Sequence, residues 1–523
     1  MKKYVCLFLF TSVISFAQAS DPYPRNPAID VVHYQFQLKL SDQNNEIEGD
    51  ATVEVRFVGK PVSEFQLDLV GKLPGENTGM TISSITSDGK PIAFTHEGDR
   101  IRLQLATPAQ AEEHRSFRIV YQGIPEDGLI ISNNQYGDRT FFGDNWPNRA
   151  HYWLPTVDHP SDKATCEFTV ISPKHYQVIA NGLKVKESDV DDTTRLIHWK
   201  EAVPIATKVM VIGVARFAIQ TAGEVKGKAV QSWVFPQNKE AGFHDYALAV
   251  SILQFMEERL GPFAYEKLAN VQSKTRYGGM ENASCIFYDE KTITGNRDSE
   301  PLLAHEIAHQ WFGDSASELD WYHIWLSEGF ATYMTQVYLE AIYGRERLVK
   351  GMKDAQTKVM DYYQNTPNAP IVDTTVTDLN KLLNPNSYEK AAWVLHMLRH
   401  KLGDEPFFRG IRAYYQQYRD KNALTIDFQN VMEKAAGKNL DLFFKQWLFQ
   451  PGQPMLQGSW QYDKANKKLV IQLKQTQKGP LFNIPLEVGI YDREGKLLKL
   501  ATVEASKRDE SFTIPLPFIP ASV

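Results

Sequence analysis

The chain has 523 residues, which is enough for two to four domains of ordinary size. Its composition is 43% hydrophobic and 23% charged, as expected for a globular protein with several apolar cores. The net charge of −6 comes without a basic block, so no nucleic-acid partner is expected, and the sequence indicates no particular oligomeric state.

The first 19 residues have the three parts of a signal peptide. Two lysines form the positive region, residues 5–16 form an apolar run, and Ala17-Gln18-Ala19 is a typical cleavage site. The run is too short to span a membrane comfortably. We therefore expect export to the periplasm or the exterior, with a mature chain that begins at Ser20. No later segment has 18 consecutive apolar residues, so no stable membrane insertion is expected after cleavage.

Residues 20–219 are expected to form a β-rich N-terminal domain. Runs such as residues 32–40, 51–57 and 101–105 alternate in polarity with the period of two that half-buried strands have. Asp88-Gly89 is a hairpin signal between such runs.

From about His244 the apolar positions follow a helical period, and helical patterns dominate residues 220–450. The exception is Asn270 to Tyr288, which is predicted to be extended around a glycine turn. Pro451-Gly452-Gln453-Pro454 ends this region. Alternation then returns, so residues 451–523 predict a small β-sandwich.

The strongest chemical signal is the sequence HEIAH at residues 305–309. On a helix, His305 and His309 share one face, so both imidazoles can bind one metal ion, and Glu306 can act on a water beside it. The motif alone also occurs by chance on surface helices. After a spacer of eighteen residues beyond His309 comes Glu328, which is either a third ligand or an ordinary glutamate near a helix start. A catalytic zinc ion needs three protein ligands and one open position, and these three residues supply them.

A second motif, Gly278-Gly279-Met280-Glu281-Asn282, precedes the zinc motif. The two glycines would let a substrate backbone approach closely, as along an edge strand, and Glu281 could bind a cationic amine. The alternative is a glycine turn followed by a solvated glutamate.

Together these motifs make the chain resemble the M1 zinc aminopeptidases, which are gluzincins with HExxH, an eighteen-residue spacer, a glutamate and a GxMEN motif. The resemblance implies an α+β multidomain fold: an N-terminal β-rich saddle domain, a thermolysin-like, mainly helical catalytic domain, and a small C-terminal β-sandwich. It implies that residues 278–282 bind substrate, with Glu281 on the α-amine. It also implies that Tyr388, in Tyr388-Glu389-Lys390, stabilises the transition state.

The implied activity is hydrolysis of the first peptide bond of peptides that have a free α-amine, with one Zn²⁺ per chain and Glu306 as general base. The family places a second amine-binding Glu or Gln in the β domain. Trp146 occupies that position here, so Asp144 or Asn145 is the expected substitute.

Alternative functions remain open at this point. A thermolysin-like endopeptidase would share the zinc ligands but would not need residues 278–282. A bifunctional enzyme like the leukotriene hydrolases would share every motif, whereas a non-enzymatic binding module should have lost metal ligands. Cys166 and Cys285 are expected to be two buried free thiols, because one widely spaced pair does not form a disulfide framework.

Overall fold

The computed structural model describes residues 21–523. The predicted signal peptide, residues 1–19, and the predicted mature start at Ser20 lie outside the described residues. Among the helices of residues 21–523, none is both long enough and apolar enough to cross a membrane.

The N-terminal domain is built of strands, as its alternating pattern predicts. In chain order they are β1 (Ile29–Lys39), β2 (Ile47–Phe57), β3 (Val62–Asp68), β4 (Gly79–Ser87), β5 (Lys90–Pro91), β6 (Ala93–Glu97), β7 (Arg100–Ala109), β8 (His114–Ile124), β9 (Leu129–Asn133), β10 (Arg139–Gly143), β11 (Lys163–Pro173), β12 (Gln177–Ala180), β13 (Leu183–Asp189), β14 (Thr194–Ala206) and β15 (Ile212–Ala215).

These strands form one large sheet in the order β13-β14-β11-β1-β2-β8-β4-β5 and two smaller sheets, β12-β15-β10-β9 and β3-β7-β6. Most neighbours are antiparallel, but β1 pairs with β11 in parallel, so that His33 faces Thr165. Every second residue of β2 is fully buried, which is the period-two pattern of a sheet with one face on the core.

The central domain combines a sheet with helices. Its elements in chain order are β16 (Ala218–Val225), β17 (Lys228–Val234), α1 (Lys239–Tyr246), α2 (Leu248–Leu260), β18 (Lys267–Ser273), β19 (Gly279–Met280), β20 (Cys285–Asp289), α3 (Glu300–His309), β21 (Ala316–Glu318), α4 (Trp325–Tyr343), α5 (Arg345–Asn365), α6 (Ala391–Leu402), α7 (Asp404–Tyr418), β22 (Lys421–Ala423), α8 (Thr425–Ala436) and α9 (Asp441–Phe444).

The extended segments predicted between Asn270 and Tyr288 are confirmed. The sheet has the order β16-β17-β18-β20-β19, which puts the short strand β19 at its edge. Helix α2 ends at Leu260, and the next residue, Gly261, has a φ of 120°, which is unfavourable for a residue with a side chain. The predicted boundary between residues 219 and 220 falls inside β16, which belongs to this central sheet.

The C-terminal domain contains β23 (Leu456–Asp463), β24 (Lys468–Gln475), β25 (Ile484–Tyr491), β26 (Leu497–Ala505) and β27 (Asp509–Pro515). They form the sheets β23-β24-β27 and β25-β26 around their own small apolar core, as a β-sandwich does.

One continuous apolar core runs through the N-terminal and central domains, from Ile29 to Leu448. The two domains are therefore packed against each other through buried apolar side chains. Cys166 and Cys285 are buried free thiols in this core, which confirms the expectation from their spacing.

Candidate active site

Helix α3 presents both predicted histidine ligands at its C-terminal end. The Nε2 atoms of His305 and His309 lie 3.0 Å apart, because residues four apart share a helix face. His309 Nδ1 lies 3.1 Å from the carbonyl oxygen of Phe312 and 3.0 Å from Ser327 Oγ. Since a carbonyl only accepts, Nδ1 carries the proton and Nε2 is left free to bind a metal.

The third predicted ligand, Glu328, lies in the first turn of α4, opposite the two histidines. Its Oε2 atom is 3.5 Å from His305 Nε2 and 3.3 Å from His309 Nε2. Ligand atoms about 2.0–2.2 Å from a tetrahedral zinc ion lie roughly 3.3–3.6 Å from one another. The two distances to Glu328 lie in this range, and the two histidine Nε2 atoms, at 3.0 Å, lie slightly closer together. The three side chains therefore suit a zinc ion after a small separation of the histidines.

The charges around this cluster also favour a bound cation. Burial disfavours a charge on His309, yet the nearby carboxylates of Glu281 and Glu328 raise its pKa to about 10. Burial lowers the pKa of His305, which keeps that imidazole in the neutral form that a metal ligand needs. The cluster thus has an excess of negative charge that a divalent cation would offset.

Glu306 is buried beside the metal ligands, and its carboxylate lies against Gly279 of the glycine motif. A Cβ atom on Gly279 would lie only 2.2 Å from Glu306 Oε1, so glycine is required for this approach. Burial raises the pKa of Glu306 well above its usual value, against the effect of His309. A bound cation would act in the opposite direction and favour the carboxylate.

The glycine motif runs along the edge of the central sheet. Gly279 and Met280 form β19 and pair with Tyr288 and Phe287 of β20. Glu281 is buried, lines the cavity beside the metal ligands, and its Oε1 atom has no hydrogen-bond partner among the described residues. A buried carboxylate oxygen without a partner is costly unless a ligand satisfies it.

Tyr388 lies in a short π-helical segment, Asn386–Lys390, directly before α6. Its ring is stacked on that of His305, with centroids 6.1 Å apart. Burial raises the pKa of Tyr388 well above 10, so the phenol remains a hydrogen-bond donor. Gly329 lets α4 approach the start of α6 closely, because a Cβ atom there would lie 2.5 Å from Ala391 Cβ.

These side chains surround a single cavity of about 360 Å³. Its lining contains all the predicted site residues except Asn282, namely Gly278, Gly279, Met280, Glu281, His305, Glu306, His309, Glu328 and Tyr388. Asn282 is fully buried behind the cavity. The remaining lining residues are Trp146, Tyr277, Pro301, Leu302, Thr332, Thr335, Gln336, Lys358, Leu383 and Glu389.

The prediction that Asp144 or Asn145 serves as the second amine-binding residue is wrong. Asp144 forms an ion pair with Arg149 and accepts a hydrogen bond from the main-chain N–H of Arg276 at 2.9 Å. Asn145 donates to the carbonyl oxygens of Thr207 and Met210, and its own oxygen accepts from a tryptophan. Neither lines the cavity, whereas Trp146 does. Both polar side chains are used to hold main chain in place.

Comparisons with known proteins agree with this arrangement. The peptidase M1 N-terminal domain model matches residues 31–209, and the peptidase family M1 domain model matches residues 245–447. The crystal structure of an M1 zinc metallopeptidase from Deinococcus radiodurans is similar, with a TM-score of 0.69 and 24% identity over 82% of this chain and 95% of that one.

Among curated relatives, probable aminopeptidase 2 of Sulfurisphaera tokodaii is 25% identical over 441 residues, which are 80% of this chain and 55% of the relative. Mouse glutamyl aminopeptidase is 25% identical over 491 residues, 88% of this chain and 51% of that protein. Leukotriene A-4 hydrolase of Xenopus laevis is 22% identical over 469 residues, 85% and 75% of the two chains.

The chain spans about half the length of the two aminopeptidases. The two matched segments nevertheless cover most of its residues, and they contain every predicted metal ligand and the glycine motif. The chain therefore belongs to peptidase family M1.

Proposed function

We propose that this protein is a zinc-dependent aminopeptidase, which removes single residues from the free amino ends of peptides. The observation that supports this most is the position of Glu281. Its unpartnered, buried carboxylate oxygen shares a cavity with the metal ligands. An ammonium group is the natural partner for such a carboxylate, and binding it there would leave the first peptide bond beside the metal.

His305, His309 and Glu328 would hold the zinc ion, which when bound supplies Lewis acidity to a water molecule and to the scissile carbonyl. Glu306 takes the proton of the attacking water and later passes it to the leaving amine. Tyr388 donates a hydrogen bond to the oxygen on which negative charge develops. Glu281 fixes the α-amine, so that only the first bond reaches the reacting groups.

An endopeptidase would use the same zinc ligands, but it would have no need of a buried anionic side chain at one end of the cavity. Leukotriene A-4 hydrolase of Xenopus laevis is also similar to this chain, although no feature of the cavity favours a leukotriene over a peptide. Peptides with a free α-amine are therefore the proposed substrates.

Product analysis tests the proposed function. A peptide of six different residues with a free amine should lose one residue at a time from its amino end, as followed by mass spectrometry. Fragments that arise mainly from internal cuts would instead indicate an endopeptidase.

Zinc content is the first specific prediction. Protein freed of loosely bound metal should contain about one zinc ion per chain, because three ligands of the right chemistry lie at the right spacing. Elemental analysis measures this, and the His309→Ala variant should lose the metal. A metal-free preparation that retains full activity would rule out the proposed cofactor.

The Tyr388→Phe substitution should lower kcat by roughly 10- to 10³-fold, because it removes one donor to the developing oxyanion while the ring still stacks on His305. Steady-state kinetics and zinc content check this together. A change confined to KM would remove Tyr388 from the catalytic residues.

We also propose that the protein is exported to the periplasm or the exterior. The three-part pattern of residues 1–19 supports this. N-terminal sequencing of protein from a fractionated culture should find Ser20 first in the exported fraction. Protein that starts at Met1 and stays with the cytoplasm would contradict it.

A further inference from the structure

The residue that directly follows the second histidine ligand, Gln310, joins the metal-binding helix to the turn that holds Glu281. Gln310 is completely buried. Its Nε2 donates to the main-chain carbonyl of Glu281 at 2.7 Å and to Asp314 Oδ2 at 2.8 Å. Its Oε1 accepts the main-chain N–H of Ser284 at 2.8 Å.

The turn that Gln310 holds is not in a relaxed conformation. Ser284 has a φ of 61°, in the left-handed region that residues other than glycine seldom adopt. Such a conformation persists only where its surroundings impose it. The N-terminal domain contributes as well, since Asn181 Nδ2 donates to the carbonyl of Ala283 at 2.7 Å and the Gly182 N–H donates to Ser284 Oγ at 2.8 Å.

The side chain of Glu281 depends on this main-chain support. Its Oε1 atom has no hydrogen-bond partner among the described residues, so no described side chain fixes that atom directly. The position of the main chain of residue 281 therefore contributes to where the carboxylate lies relative to the metal ligands. Gln310 directly follows His309, and its side-chain amide donates to the carbonyl oxygen of Glu281. It therefore connects the main chain of residue 281 to the helix that holds the metal ligands.

We propose that Gln310 is a positioning residue that fixes the distance between the amine-binding carboxylate of Glu281 and the metal ligands. It thereby decides which peptide bond of the substrate lies at the reacting groups. The inference rests on the proposed aminopeptidase function, and it assigns to Gln310 the selectivity for a free amine rather than the hydrolytic chemistry.

A matched control is available in the C-terminal domain. Gln475 is also a fully buried glutamine. Its Nε2 donates to the carbonyl of Phe482 at 2.7 Å, and its Oε1 accepts the N–H of Phe482 at 3.0 Å. Replacing Gln475 by methionine removes the same kind of main-chain support, at a site that does not line the active-site cavity.

The experiment compares Gln310→Met with Gln475→Met on one peptide, in its free and its N-acetylated form. Methionine has about the length of glutamine but offers no amide hydrogen bonds. Because a misplacement of about 1 Å can cost roughly 10²-fold in rate, Gln310→Met should lower kcat/KM for the free peptide about 10- to 10²-fold. Most of this should appear as a higher KM, with unchanged zinc content and an unchanged rate on the acetylated peptide.

Gln475→Met should leave the ratio of the two rates unaltered. If Gln310→Met does not fold, Gln310→Asn replaces it, since it keeps a neutral amide beside Asp314 but is one methylene too short to reach the main chain of both Glu281 and Ser284. A full free-amine preference in the folded Gln310 variant would overturn the positioning role. Absence of that preference in the unaltered protein would instead overturn the proposed function, so the two failures are distinguishable.

Discussion

Replacing Glu306 by glutamine should lower kcat at least ~10²-fold, which is the lower range for the loss of a general base. The amide has the size of the carboxylate but cannot take the proton of the attacking water. Glu306 is buried, and Gly279 leaves space for its Oε1 atom, so the substituted side chain still fits. Steady-state kinetics should therefore show a loss in kcat with zinc content retained.

Glu300→Gln is a suitable control for this variant. Glu300 lies on the same helix, and its carboxylate accepts hydrogen bonds from the Tyr338 and Tyr343 hydroxyls away from the cavity. The control should keep nearly normal turnover. A Glu306→Gln enzyme that also turns over normally would refute the role of Glu306 as general base.

Replacing Glu281 by alanine should slow the cleavage of free-amine peptides about 10²-fold in kcat/KM. A free α-amine has a pKa of about 8 and is cationic over much of the neutral range. The buried carboxylate of Glu281 offers it a charge-assisted hydrogen bond. A 10²-fold loss corresponds to about 2.7 kcal/mol, at roughly 1.36 kcal/mol for each factor of ten.

The N-acetylated peptide is the internal control for Glu281→Ala. It lacks the cation, so its slow cleavage should not become slower, and zinc content should stay normal. An equal fall in both rates would indicate general damage to the site and would remove the amine-binding role.

The metal centre was predictable from sequence because a helix imposes its geometry. His305 and His309 lie four residues apart in α3, which fixes their Nε2 atoms on one face. Glu328 lies in the first turn of α4, and it was predictable as the third ligand because a catalytic zinc ion needs three protein ligands and one open position. The role of Tyr388 came from the resemblance alone, and the stacking of its ring on His305 agrees with it.

The supporting contacts were not predictable. Gln310 and Asp144 hold main-chain atoms of residues 281, 284 and 276. Every residue except proline offers the same main-chain groups, so such contacts leave no pattern in the partner sequence. For the same reason, Asp144 and Asn145 were mistaken for substrate-binding residues.

The fold shows the same limit. Alternating polarity predicted the strands of residues 20–219, since each strand buries one face. It could not predict that β1 pairs in parallel with β11, because the hydrophobic pattern of a strand does not identify its neighbour.

The most direct test of the aminopeptidase function is the ratio of kcat/KM for one peptide with a free amine to that for the same peptide after N-acetylation. Acetylation removes the cation and adds bulk where Glu281 would bind the amine. The structure predicts a ratio of at least ~10², or about 2.7 kcal/mol. Comparable rates on the two peptides would contradict the proposed function and leave the glycine motif as a turn at the edge of an endopeptidase cleft.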